Sequence, residues 1–165
     1  GIESLNITKE EFLETLKLVG IDETFVDFVK SGIEFRIVSA GTKLNIAGVL
    51  RNYGINLDEK EIISNDIKFD GNKITVSFPY LDKEQYYGVD KKEAVQKYKD
   101  EGYTVYFVGD GPSDYRAIEV ADFSFVRKGT RAIKFCQENE IDFFEFENFD
   151  EILDYLKKQE SKWII

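Results

Sequence analysis

The sequence predicts an α/β fold: a doubly wound, mostly parallel sheet flanked by helices, with one β-hairpin inserted. Three observations lead there. Short apolar runs, residues 104–108 foremost, stop abruptly at turn residues, which marks buried parallel strands. Stretches of helical periodicity separate these runs. Residues 61–79 alone change period, alternating apolar and polar side chains on both sides of Asp70-Gly71-Asn72, a hairpin signature.

Taken in order, Thr8 and Glu11 form a capping box, and Phe12, Leu13, Leu16 and Val19 follow at helical spacing up to Gly20. A second short helix is expected over 23–30, with Phe25, Phe28 and Val29 apolar and Gly32 as its stop. Residues 34–41 read as a strand ending in a small hydroxyl residue and glycine. A helix over 42–53 carries Leu44, Ile46, Ala47, Val49 and Leu50, closed by Gly54. The hairpin comes next, then a polar and aromatic connection over 81–89. Asp90 suits the N-cap of a helix over 91–101 that Gly102 closes. The strand 104–108 leads through Gly109-Asp110-Gly111-Pro112-Ser113-Asp114 into a helix over 115–120. A strand (123–126), a helix (130–139), a strand (142–146) and a helix (149–158) complete the pattern. The terminal Trp163-Ile164-Ile165 is apolar enough to pack on the core. Residues 1–30 read as a helical appendage and 31–165 as the α/β core, with no repeat or linker between them.

Composition narrows the function. The 165 residues carry a net charge of -10, which disfavours nucleic acid and anionic membranes as partners. An anionic substrate then needs a local cation or a metal ion. The chain has no histidine, which excludes Ser-His-Asp and Cys-His catalysis and His-ligated zinc. A single cysteine, Cys136, forbids an internal disulfide and points to a reducing, cytoplasmic setting. No apolar run approaches the ~18 residues of a membrane span. The sequence opens on Gly1 rather than methionine, so a further upstream segment is expected.

Ligands of parallel sheets sit beyond the carboxyl ends of the strands, where Asp110 stands with Asp114 a turn later. Two carboxylates on one stiff turn suit Mg²⁺; an ordinary capped turn is the competing reading. Gly109 and Gly111 are read as letting the backbone turn tightly. Ser39 ends another strand, and Lys91 begins a helix whose Ala94 and Val95 face inward. A hydroxyl, nearby amides, an ammonium and an acid pair at one sheet rim make a phosphate site.

On Ile37-Val38-Ser39-Ala40-Gly41, Lys91-Lys92-Glu93-Ala94-Val95 and Val108-Gly109-Asp110-Gly111-Pro112-Ser113-Asp114, the chain resembles the haloacid dehalogenase superfamily of phosphohydrolases. It looks most like the branch of phosphoserine phosphatase and the methionine-salvage enol-phosphate phosphatase. Residues 121–127 and 145–149 are similar as well, so the resemblance runs from about residue 8 to 158. It implies a Rossmann-like core, with 1–30 as the remnant of a helical cap. Ser39, with Ala40 and Gly41, would hold phosphate oxygens. Lys91, rather than Lys92, would stabilise the phosphoryl group, and Ser39 and Lys91 together would be the catalytic residues of this chain. Asp110 and Asp114 would form the Mg²⁺ site, Asp110 as ligand and Asp114 orienting ion-bound water or Lys91. The implied activity is Mg²⁺-dependent hydrolysis of a small phosphorylated metabolite through an aspartyl phosphate.

One departure stands out. The family carries Asp-x-Asp-x-Thr at the end of its first, central strand, whereas here no two aspartates stand two residues apart. The resemblance therefore implies that the nucleophile and the central strand, between those ending at Ser39 and Asp110, come from a missing amino-terminal segment or a second chain. This chain alone would be inactive. A catalytically inactive binding or regulatory module is the alternative. Arg127 and Lys128 are read as capping or surface residues, with a substrate contact as the alternative. The acids from Glu145 to Glu151 are read as a solvated face, and the hairpin as a flap or an edge extension.

Overall fold

A computed structural model of the chain describes residues 22–58, 61–70, 73–77 and 90–161. In chain order the elements are α1 (Glu23–Lys30), β1 (Ile37–Thr42), α2 (Lys43–Asn52), β2 (Ile62–Asp70), β3 (Lys73–Ser77), α3 (Lys91–Asp100), β4 (Tyr106–Gly109), a 3-10 turn (Pro112–Asp114), α4 (Tyr115–Val120), β5 (Phe123–Arg127), α5 (Arg131–Glu138), β6 (Phe143–Phe146) and α6 (Phe149–Ser161). They fall into two compact units, Gly1–Ile21 with Glu34–Asp90 and Asp22–Ile33 with Lys91–Ile165. The helix expected over 8–20, the connection at 81–89 and the apolar terminus at 163–165 lie outside the described residues.

The first unit holds the sheet β1-β2-β3. The expected hairpin is present, with Ile67 opposite Val76 and Phe69 opposite Ile74 in an antiparallel ladder. Its first strand also does something the alternation did not announce. The start of β2 runs parallel to β1, pairing Ile62 with Ile37 and Ile63 with Val38. The adjacent isoleucines break the alternation there, as the sequence of a parallel strand does, before alternation takes over. The β1–β2 ladder then steps from Val38 opposite Ile63 to Thr42 opposite Asn65. Ser39, Ala40 and Gly41 thus span what Ser64 alone spans on β2, a bulge that lifts them out of register. Helix α2 packs back on β1 and β2, with Leu50 and Ile62 buried.

The second unit is a three-stranded, wholly parallel sheet in the order β4-β5-β6. One face packs Phe107 of β4 and Val126 of β5 against Val95 of α3, Ile118 of α4 and Cys136 of α5. On the other face Tyr155 of α6 meets Phe123, Phe125 and Phe144, with ring centroids 5.3, 5.3 and 5.0 Å away. Covering on both faces explains why β5 reads Phe-Ser-Phe-Val without alternation; Phe125 is wholly buried. The strand expected over 104–108 starts later, at Tyr106, because Val105 is held from outside the ladder. Its N–H donates to Asp122 Oδ2 at 2.7 Å, and its carbonyl accepts from the Asp122 N–H at 3.0 Å. Gly54 and Gly102, expected as helix stops, hold φ of +77° and +96°, which glycine adopts without strain.

Helix α1, within the expected amino-terminal appendage, is fastened to the second unit. Asp22 caps it by accepting from the Thr24 N–H at 2.9 Å. Thr24 Oγ1 then accepts from the Phe149 N–H at 3.0 Å, and the rings of Phe25 and Phe28 pack on Phe149 at 5.0 and 5.6 Å. Among the described residues no helix is long and apolar enough to cross a membrane.

Ser124 is the misfit of this core: its hydroxyl is buried and meets no hydrogen-bond partner among the described residues. A buried polar group without a partner costs on the order of 1 kcal/mol or more. We expect Ser124→Ala to raise stability by about 1 kcal/mol in denaturant unfolding. A comparable loss would show that the hydroxyl is satisfied in solution.

Candidate active site

The end of β4 sets the geometry. Tyr106 and Val108 are exposed and Phe107 and Gly109 buried, the alternation of a strand. Asp110 follows at the carboxyl end and is exposed. Two residues later the chain enters the 3-10 turn, with Pro112 at its first position. The turn brings Asp114 back beneath the strand end. Asp114 is 3% exposed, and three donors hold its carboxylate. Oδ2 accepts the backbone N–H groups of Asp110 and Gly111 at 2.9 and 3.2 Å. Oδ1 accepts Lys91 Nζ at 2.7 Å. Asp114 thus does not cap the helix that follows; no side-chain bond reaches the amides of α4. It closes the loop that precedes it.

This corrects the reading of the glycines. Neither Gly109 nor Gly111 adopts a left-handed φ; Gly111 lies at φ -153°, extended backbone open to any residue. Gly109 is needed for a steric reason instead. A Cβ there would lie 2.9 Å from Asp114 Cβ and 3.0 Å from Phe107 Cε1. The Asp114 side chain occupies the space that a side chain at 109 would fill.

Lys91 reaches Asp114 because Ala94 and Val95, one turn along α3, are buried and fix the rotation of the helix. The same inward pair favours Lys91 over Lys92 in the sequence. The Lys91 and Asp114 side chains are 15% and 4% exposed. Taking both charges out of water is costly, and only good geometry with additional hydrogen bonds offsets that cost. The two loop amides supply those bonds. Ser113 Oγ, 3.4 Å from Lys91 Nζ, is a neighbour that motif reasoning missed; its place beside Asp114 in Gly-Pro-Ser-Asp was the available signal.

Among the described residues nothing engages the carboxylate of Asp110, and no three His, Cys, Asp or Glu side chains gather as a metal cluster. Ser39, Ala40 and Gly41 belong to the first unit, where they form the bulge of β1, with Ser39 partly buried. Further along the rim of the second unit, past β5 and β6, Lys128 Nζ meets Glu147 Oε1 at 2.9 Å. The hydrogen bond and the attraction of Glu147 push the Lys128 ammonium upward in pKa, and the same contact pulls the exposed Glu147 carboxyl down. Cys136 is buried, and that burial pushes its thiol pKa up.

A lysine at a helix start is thus joined to an aspartate that closes the loop after a parallel strand. Residues 7–119 match the family of haloacid dehalogenase-like hydrolases. The chain belongs to that family. Among its relatives, Pdp3-interacting factor 1 of Schizosaccharomyces pombe is 32% identical, across 95% of this chain and 72% of the relative. The 2-hydroxy-3-keto-5-methylthiopentenyl-1-phosphate phosphatase of Exiguobacterium sibiricum is 28% identical, across 84% of this chain and 63% of the relative. Polyol phosphate phosphatase PYP1 of Saccharomyces cerevisiae is 28% identical, across 95% and 73%. A crystal structure of phosphoserine phosphatase in apo form shares the fold, with a TM-score of 0.63 and 21% identity over 93% of this chain and 76% of that one. The haloacid dehalogenase-like fold thus accounts for the parallel strands and the intervening helices of both units.

Two substitutions test the clamp. We expect Asp114→Ala to destabilise the protein by about 3–5 kcal/mol, since it strands a buried ammonium, and Asp114→Ala with Lys91→Met to recover part of that loss. Equal unfolding free energies for the single and double variants would show that the ion pair does not form. Gly109→Ala should cost about 1–3 kcal/mol by overpacking against Asp114 and move the amide resonances of Asp110 and Gly111. Unchanged resonances would contradict the close approach.

Proposed function

We propose that this chain carries the phosphate-handling part of a Mg²⁺-dependent phosphomonoester hydrolase acting on a small phosphorylated metabolite. The observation that carries this reading is the 2.7 Å contact of Lys91 with Asp114, closed on the Asp110 and Gly111 amides at the end of a parallel strand. The phosphatases among the relatives support it.

Each residue has a part. Asp114 holds Lys91 Nζ in place, so that the ammonium faces the developing charge of the phosphoryl oxygens with little reorganisation. Asp114 has both oxygens committed, which fits orienting its neighbours better than binding an ion directly. Asp110 has a carboxylate that no described residue engages, and it fits an ion that takes one or two carboxylates and completes its shell with water and phosphate oxygens. Mg²⁺ bound there would neutralise phosphoryl charge. Ser39, with the amides of Ala40 and Gly41, grips the phosphate; the bulge that re-aims these residues supports this role.

The attacking carboxylate belongs to an Asp-x-Asp-x-Thr strand that this sequence does not contain, supplied by an amino-terminal segment or a second chain. The aspartate displaces the alcohol at phosphorus, the second aspartate protonates the leaving oxygen, and water then hydrolyses the acyl phosphate. The one buried thiol suits a reducing, cytoplasmic setting. The same missing motif favours a second reading, a module that binds phosphate without turning it over.

The test is an assay of a protein that joins this chain to such a strand. Hydrolysis of p-nitrophenyl phosphate should require Mg²⁺, and Asp110→Asn should lower kcat/KM about 100-fold. Unchanged activity at saturating Mg²⁺ rules out the metal role of Asp110. Phosphate binding without turnover establishes the second reading.

A further inference from the structure

The carboxyl rim of the second unit bears two basic residues next to each other after β5, and they divide Glu147 unequally. Lys128 takes the carboxylate, 2.9 Å from Oε1. Arg127 takes only the backbone: its Nη1 donates to the Glu147 carbonyl at 3.0 Å. Its guanidinium also lies over the Phe146 ring, 4.9 Å from the centroid. A carbonyl and a ring face orient a guanidinium without cancelling its charge. Among the described residues no carboxylate pairs with Arg127, and one of its five N–H donors is engaged. The side chain is partly buried and held from two sides, so its fork is set before a ligand arrives.

Its place matters as much as its state. Gly109 and Val126 are register partners, so Asp110 and Arg127 leave neighbouring parallel strands one residue past that pair. Such strands run about 4.8 Å apart. Arg127 turns toward β6 rather than toward Asp110, which sets an uncancelled cation to one side of the proposed phosphate position.

We propose that Arg127 is a second anion-binding residue of this rim, one that takes a carboxylate carried by the substrate beyond its phosphate. The planar fork matches two carboxylate oxygens, which a lysine cannot do. The proposal rests on the phosphate site above and adds to it the class of substrate: phosphomonoesters of hydroxy acids over those of neutral alcohols.

The 165-residue chain is titrated calorimetrically, in saturating Mg²⁺, with inorganic phosphate, 3-phosphoglycerate and glycerol 3-phosphate, the last two differing by a carboxylate in place of a hydroxymethyl group. We expect 3-phosphoglycerate to bind about tenfold more tightly than glycerol 3-phosphate, from one charge-assisted bidentate contact. Arg127→Gln should erase that preference and leave inorganic phosphate unchanged; Arg127→Lys should erase most of it. In the unsubstituted chain the Arg127 Nε–H resonance should shift with 3-phosphoglycerate and stay put with glycerol 3-phosphate, a readout that needs no variant to fold. Equal affinity for the two esters, or a preference that survives Arg127→Gln, overturns the role of Arg127 and leaves the phosphate site standing. Failure of all three ligands to bind overturns both.

Discussion

The carboxylate of Asp114 organises the second unit's rim. An acid this deeply buried is tolerable only where donors replace the water it has lost, and its three donors come from different places in the chain. The ammonium of Lys91 arrives from α3, and two amides arrive from the loop after β4. Each donor is thereby fixed relative to the others by one anion. The path of the loop, the direction of Lys91 and the position of Asp110 are consequences of satisfying that charge. Gly109 belongs to the same constraint, since the carboxylate can approach the strand end only where no side chain stands.

Such a clamp is worth having only on a stiff support. The β4-β5-β6 sheet supplies it by being packed on both faces, with aliphatic helices on one side and the aromatic group around Tyr155 on the other. Close-packed interiors resist small displacements. The parallel register then fixes which residues emerge together at the rim: Asp110 after β4, Arg127 at the end of β5 and Glu147 after β6. Helix α1 adds to this support from the far end of the chain, because Thr24 takes up an amide at the start of α6 that would otherwise lack an intrahelical partner.

What could be read from the sequence was what depends on local period. The helix at 23–30, the hairpin at 61–79 and the strand–helix alternation after residue 90 all follow from spacing, and the structure has them. Lys91 was legible for the same reason, through the inward Ala94 and Val95. The rest depends on partners distant in the chain. The start of β4 shifts because Asp122, seventeen residues on, holds Val105. The parallel pairing of β2 with β1 leaves no trace in the hairpin's alternation. Glycine at 109 looked like a turn residue, and only the return of Asp114 shows it to be a clearance. Arg127 and Glu147 stand twenty residues apart, so no local pattern joins them.

Charge balance along the rim gives these pieces a common sense. Lys91 with Asp114 and Lys128 with Glu147 are each neutral pairs, offering directed donors but little net field. Among the described residues of this rim, Asp110 is an uncommitted acid and Arg127 an uncancelled cation whose fork is already oriented. A phosphate dianion brought to this rim would meet a carboxylate with no opposing charge beside it, in a chain already at -10. The proposed divalent ion on Asp110 would turn that repulsion into attraction at the phosphorus end of a substrate. Arg127 would do the same for a carboxylate at the other end. The two proposals are thus halves of one electrostatic argument: in an acidic protein, neutral pairs and amides can direct an anionic substrate, and a positive charge that the protein has not already neutralised offsets the repulsion of each anionic group.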